Sequence, residues 1–210
     1  MTPTDQTNKY AQLASEQSIK TTQEALEKNG FQVKVVENLA AAKDEVLSII
    51  PKGSEVFTVA SVTTDQAGLL PILNDSGDYI SNRKEFMALW GKEDKKLEMR
   101  RIGSVSDYVV GSVHAITEDG QALIASASGS QIPNYVFGAN HVIWIVSTKK
   151  IVKDLNDGLK RIEEYSYPLE DKRAQQAYGS HSSLNKILIY KKETTPDRVT
   201  VIFIKEDVGF

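Results

Sequence analysis

Residues 55–68 read EVFTVASVTTDQAG, and this short stretch decides the architecture. Glu55–Ala60 is a brief apolar, β-branched run of the kind found in strands buried inside parallel sheets. In such sheets ligands gather beyond the carboxyl ends of the strands. The loop that follows therefore makes Ser61, Thr63, Thr64 and Asp65 candidate ligand contacts by position alone. The bland alternative is capping: Thr64 or Asp65 is equally suited to satisfy the first amides of a helix running through Leu70.

Outward from this stretch the chain alternates helices and strands. Upstream, the segment from about Asp5 to Asn29 is rich in helix formers and stops at Gly30. FQVKVV then reads as a strand, and LAAAKDEVLSII is helical up to Pro51. Downstream, GDYISNRKEFMALWGKEDKKLEMRR holds helical pieces, with Phe86, Leu89 and Trp90 on an apolar face and Gly91 as a break. YVVGSVHAIT and QALIAS flank a turn, NYVFGAN is a short helix ended by Gly138, and HVIWIVS is another apolar strand. Ile151, Leu155, Leu159 and Ile162 recur at three- and four-residue steps, predicting an amphipathic helix from Ile151 to Tyr165. YPLEDKRAQQAYG reads as a helix ending at Gly179. NKILIYKK and VTVIFIKE, separated by Pro196 and Asp197, read as a hairpin over about residues 185–205. The expectation is one α/β domain over residues 1–210, with an N-terminal helical segment over about 1–30. His181, Ser182 and Ser183 either fall on a surface loop or reach the same pocket.

Composition narrows the functional classes. The 210 residues are 40% hydrophobic and 25% charged, and no apolar stretch approaches the roughly 20 residues a membrane span needs. The polar start MTPTDQTNKYAQ lacks a signal-peptide pattern, so a cytoplasmic protein is expected. A formal net charge of −3 and the absence of a basic block argue against nucleic acid as a partner. Cysteine is absent. The chain therefore has no thiolate for a disulfide, a cysteine-ligated zinc, an iron–sulfur cluster or a cysteine nucleophile. His114, His141 and His181 lie far apart and form no HExxH pair, so no metal site is expected. A serine-hydrolase elbow, GxSxG, is also missing.

The stretch 116–133, ITEDGQALIASASGSQIP, carries the second group of candidates. Glu118, Asp119 and Gly120 suit a hairpin turn, because Asp-Gly tolerates positive φ. A buried Glu118 would serve as a nucleophile or general base, whereas an exposed one is an ordinary turn acid. Ser126, Ser128, Gly129 and Ser130 form a flexible small-residue loop whose backbone N–H groups would hold an anion, or whose hydroxyls would merely cap a helix. Lys150 either meets an anion or sits at a helix N-terminus, where its charge is mildly unfavourable.

GSVHAITEDGQALIASASG, followed by FGANHVIWIVSTKKIVKDLNDGLKRIEEY, resembles the LUD domain family, associated with lactate utilization and formerly called DUF162. ASVTTDQAGL resembles its Ser-x-Thr-x-x-acid-x-x-Gly loop. The resemblance implies an α/β, Rossmann-like open sheet of the NagB/RpiA/CoA-transferase-like type with helices on both faces. It also implies a pocket built from the 61–68, 114–120 and 126–133 loops. Matched to the family pattern, the ligand-binding set is Ser61, Thr63, Asp65, Gly68, Thr117, Asp119, Gly120, Gly129 and Lys150, with Ser128, Ser130 and His114 beside them and Glu118 as the catalytic candidate. His114 stands where the pattern leads one to expect asparagine, and the C-terminus lacks the cysteine-rich ending of some relatives. The implied functions are a domain binding a small anionic metabolite, a noncatalytic subunit docking onto iron–sulfur or flavin partners of a lactate-oxidising complex, or an enzyme like a CoA-transferase or folate cyclo-ligase. Iron–sulfur or flavin chemistry would enter only through those partners, and a homo-oligomer is compatible with each.

Overall fold

The computed structural model describes residues 8–210. Ten strands form two sheets. The main sheet holds β1 (Gln32–Val36), β10 (Val199–Ile204), β7 (Ala139–Ser147), β4 (Ser106–Gly111), β2 (Glu55–Thr58) and β3 (Ile80–Ser81), in that order and all parallel. The second holds β8 (Ile151–Val152), β5 (Ala115–Thr117), β6 (Ala122–Ser126) and β9 (Lys186–Tyr190). A Rossmann-like open sheet is thus present, and the apolar runs read from the sequence are its central strands.

Side-chain alternation explains the layers. On β7, Val142, Trp144 and Val146 face one core while Ile143 and Ile145 face the other. On β10, Val201 and Phe203 join the first and Ile202 and Ile204 the second. The second core is closed by α2 (Leu39–Ile49) through Ala42 and Val46, and by α4 (Leu69–Asp75) through Leu69 and Leu73. The first is closed by Leu26 of α1 (Glu16–Lys28), Phe86 of α5 (Asn82–Leu89), Met99 and Ile102 of α6 (Lys96–Ile102), and by Ala122 and Ile124 of the small sheet. The opposite face of that sheet, Ala115, Leu123 and Val152, packs on a third cluster with Ile162 and Tyr165.

Local chemistry sets the boundaries. Ser15, Asn38, Ser81 and Asp154 each place a side-chain oxygen on an amide of the following helix turn. Three readings need correction. The helix expected through Leu70 is two pieces, α3 (Val62–Gln66) and α4, divided at Gly68, which is left-handed with φ 65°. Pro71 explains the break, because it can occupy only the first turn of a helix without losing an internal hydrogen bond. The helix expected from Ile151 begins instead as α7 (Leu155–Arg161); Ile151 and Val152 pair with β5. It continues through a π-helical turn, Ile162–Ser166, into α8 (Tyr167–Tyr178), which ends at left-handed Gly179. Finally, β9 and β10 are no hairpin: β9 pairs antiparallel with β6, whereas β10 lies between β1 and β7. Within the expected N-terminal helical segment, α1 is preceded by a short turn at Lys9–Ala11, and residues 1–7 lie outside the described residues.

Candidate functional site

Because all strands of the main sheet run the same way, the segments leaving β2, β4 and β7 emerge together. The chain after β6 arrives at the same edge. These segments enclose a cavity of about 520 Å³, lined among others by Thr58, Ser61, Thr63, Asp65, Arg83, His114, Ser126 and Lys150. Its opposite wall comes from α8 and the segment after it, through Tyr167, Glu170, Arg173, Ser182 and Ser183.

Lys150 ends a short 3₁₀ turn after β7, and the residue is 3% exposed. Its Nζ donates to Ser112 Oγ at 3.1 Å and to the Val113 carbonyl at 3.0 Å. No carboxylate pairs with it among the described residues. Its neighbour Lys149 differs: its amine pairs with Asp207. Burial first, and then Arg161 and Lys149, lower the Lys150 pKa well below that of a free lysine. Arg161 is fully buried, donating to the carbonyls of His114 and Lys149 and to Ser166 Oγ.

His114 accepts from the Ala125 amide through Nδ1 at 3.1 Å, which leaves the ring proton on Nε2. Burial, then Lys150 and Arg161, hold this imidazole down to about 3, so it is neutral near pH 7. Tyr135 fixes the end of β4 beneath it. Its hydroxyl donates to the Ser112 carbonyl at 3.2 Å, over Gly111, where a Cβ would lie 2.0 Å from that hydroxyl.

Arg83, on α5, was not foreseen. Its guanidinium lies over Phe57 and Phe86, 5.9 and 5.7 Å from the ring centroids, and no carboxylate pairs with it among the described residues. Burial lowers its pKa from an ordinary arginine's value. Arg173 is satisfied by a two-pronged bond to Glu170, 2.7 Å from both Nε and Nη2. Arg83 and Arg173 fall in segments read only as helical, so spacing gave no sign of them. Ser182 and Ser183 reach the cavity, one of the two readings open for them, whereas His181 of the same loop is exposed and bonds Asp171.

Of the sequence candidates, Ser61, Thr63, Asp65, His114, Ser126, Ser128, Ser130 and Lys150 line the cavity. Ser61, rather than Thr64 or Asp65, caps α3 through its Oγ. Thr63 Oγ1 is buried without a partner among the described residues. Thr117, Glu118, Asp119 and Gly120 are not in the cavity, because they form the far turn of the β5–β6 ribbon. Only the opposite end of that ribbon, His114 and Ala125–Ser126, reaches the cavity. The turn packs on α1: Asn29 Nδ2 donates to the carbonyls of Asp119 and Gly120 at 3.0 and 3.1 Å. Glu118 accepts from Ser18 Oγ at 2.7 Å and pairs with Lys153 at 3.3 Å. Gly129 is left-handed, and its amide donates to Ser126 Oγ at 2.8 Å; the Ser130 amide donates to Ser128 Oγ at 3.2 Å. Those two amides are therefore engaged by the loop's own hydroxyls, a common behaviour of serine-rich turns, rather than held open as an anion cradle, one of the two readings of this loop. Among the described residues no cluster of metal-ligating side chains occurs, and no helix is long and apolar enough to cross a membrane.

The sheet order, the cavity at its carboxyl edge and the sequence pattern converge on a family: the LUD domain model matches residues 19–204, and the chain belongs to the LUD domain family. In fold it is similar to a DUF162 family protein from Deinococcus radiodurans known from its crystal structure. The TM-score is 0.57 at 12% identity, covering 92% of this chain and 99% of that one. No curated protein matches the chain.

Proposed function

We propose that this LUD-domain protein, in keeping with a role in bacterial lactate utilization, binds a small anionic metabolite at the carboxyl edge of its main sheet. The observation that carries this reading is an unpaired guanidinium. Arg83 lines the cavity without a carboxylate partner among the described residues, while of the cavity's acidic side chains Glu170 is already occupied by Arg173 and Asp65 makes no ion pair with Arg83. An unpaired basic group withdrawn from water is costly, and a carboxylate or phosphate entering the cavity relieves that cost. Serine and threonine hydroxyls at 61, 63, 126 and 128 supply additional donors.

The test is thermal unfolding with lactate, pyruvate, phosphate, CoA species and folates. A ligand at 100 times its Kd stabilises the fold by about 2.7 kcal/mol. At the same concentration the stabilisation is expected to fall to about half or less in Arg83→Ala, since a lost charged hydrogen bond costs about 1.5–3 kcal/mol, tenfold or more in Kd. Glu118→Gln, outside the cavity, is expected to respond like the wild type. If no anion shifts the midpoint, the reading fails.

A second reading, a noncatalytic subunit docking onto iron–sulfur or flavin partners, is favoured by an apolar patch on the opposite edge. Val105 and Phe137 are 61% and 91% exposed there, beside Val136, Ile132 and Pro133. With no cysteine in the chain, any cluster would belong to the partner. Co-purification that is lost in Phe137→Ser tests this reading.

A further inference from the structure

We propose that Lys150 is a covalent nucleophile that forms an imine with a carbonyl group on an acid bound in the cavity. The inference rests on the anion-binding reading and adds the substrate class: a 2-oxo acid, or another carboxylate bearing a ketone or aldehyde.

The hydrogen-bond count around the amine carries it. Lys150 Nζ has two acceptors, Ser112 Oγ and the Val113 carbonyl. A neutral amine has two N–H donors and one lone pair, so both donors are satisfied and the lone pair remains free. An ammonium has three donors, and its third would lack a partner. No carboxylate compensates a charge there, in contrast to the Lys149–Asp207 pair one residue earlier. The charged groups around it, Arg161 and Lys149, are cations, and His114 is neutral. The amine is buried yet lines an open cavity large enough for a small acid, with Arg83 as the anion partner on a different element. The lowered affinity of Lys150 for protons agrees with this geometry.

The chemistry balances without an oxidant or reductant. The nitrogen lone pair forms a C–N bond to the carbonyl carbon, and the C=O π electrons pass to the oxygen, which takes up a proton. Nitrogen loses one proton, giving a neutral carbinolamine. Loss of the second nitrogen proton and the hydroxyl as water leaves C=N. His114, whose Nε2 carries a proton at neutral pH, lines the same cavity.

The test incubates the full chain at pH 7 with pyruvate and cyanoborohydride, which reduces an imine to a stable secondary amine, followed by peptide mapping by mass spectrometry. The expected result is labelling of Lys150 at least tenfold above exposed lysines such as Lys20 and Lys52, abolished in Lys150→Met while the exposed sites label as before. Lys150→Met keeps the apolar stem, and its unfolding midpoint is measured alongside. A repeat with glyoxylate, a smaller carbonyl acid, guards against a poor fit of pyruvate. If neither acid labels Lys150 above the exposed lysines, the imine proposal is overturned. Anion-dependent shifts in the midpoint would then leave the binding reading standing, and their absence would remove both.

Discussion

A single buried imidazole gives the structure a readable pH response. His114 is held down to about 3 in the folded chain, whereas an unfolded histidine titrates near 6.5. Between these values the unfolded chain binds a proton that the folded chain does not. The stability associated with the neutral ring is therefore full above about 6.5 and is lost as pH falls toward 3. His114→Asn keeps an acceptor for the Ala125 amide without titrating. Urea denaturation at pH 7, 6 and 5 is expected to show the wild type losing about 1–2 kcal/mol more than this variant between pH 6.5 and 5. Parallel loss in the two proteins would show that His114 does not titrate in this way.

At the same scale, Ser61 was legible because it follows a recognisable strand, whereas Lys150 and His114 came from the family pattern. Glu118 was conspicuous for a structural reason instead. Its turn is acidic because it meets Ser18, Asn29 and Lys153 at the start and end of neighbouring helices, and Gly120 has φ 80° with α1 backbone against it. Arg83 was hidden because a surface arginine and a cavity arginine have the same spacing within an amphipathic helix.

Among elements, the misread hairpin is the most informative. VTVIFI is buried at every position, whereas KILIY of β9 is largely exposed along its length. A run apolar on both faces is the mark of an internal parallel strand, but ILIY of β9 is apolar on both faces as well, so the sequence does not separate the two. What the sequence did not display was the anchor that separates the two strands. Arg198 donates to the carbonyls of Asn134, Tyr135 and Ala139 at 3.1, 3.0 and 3.0 Å, and to Glu193 at 2.8 Å and Tyr190 at 3.0 Å. It thereby ties the π-helical turn Asn134–Gly138 to the approach of β10. Burial alone would raise the Glu193 pKa, but bonds from Tyr190, the Thr195 amide and Arg198 bring it down to about 2. Arg198→Met leaves that carboxylate buried without its cation and is expected to destabilise the fold by about 3–5 kcal/mol, read by urea denaturation. Glu193→Gln beside it is expected to cost less than additively in the double variant. An Arg198→Met loss below 1 kcal/mol would mean that the connection is held by something else.

For the whole molecule, the architecture follows from placing a small mixed sheet against one face of a parallel sheet, with the α7–α8 helix on the outer face of the small sheet. The parallel strands, and hence the carboxyl edge that carries the site, were readable from their apolar runs. The roof was not: β8 is two residues long, and α8 approaches the cavity only because a π-helical turn links it to α7. Local and family patterns therefore gave the floor of the cavity together with Lys150, and only the tertiary packing gave the wall that carries Arg83.

The central claim is that this wall receives an anion. The most direct measurement is a crystal structure of the full chain grown with pyruvate. Electron density for the carboxylate against Arg83, with the carbonyl carbon at Lys150 Nζ, is the predicted result. An empty cavity at saturating pyruvate, with density only at exposed lysines, would contradict the account.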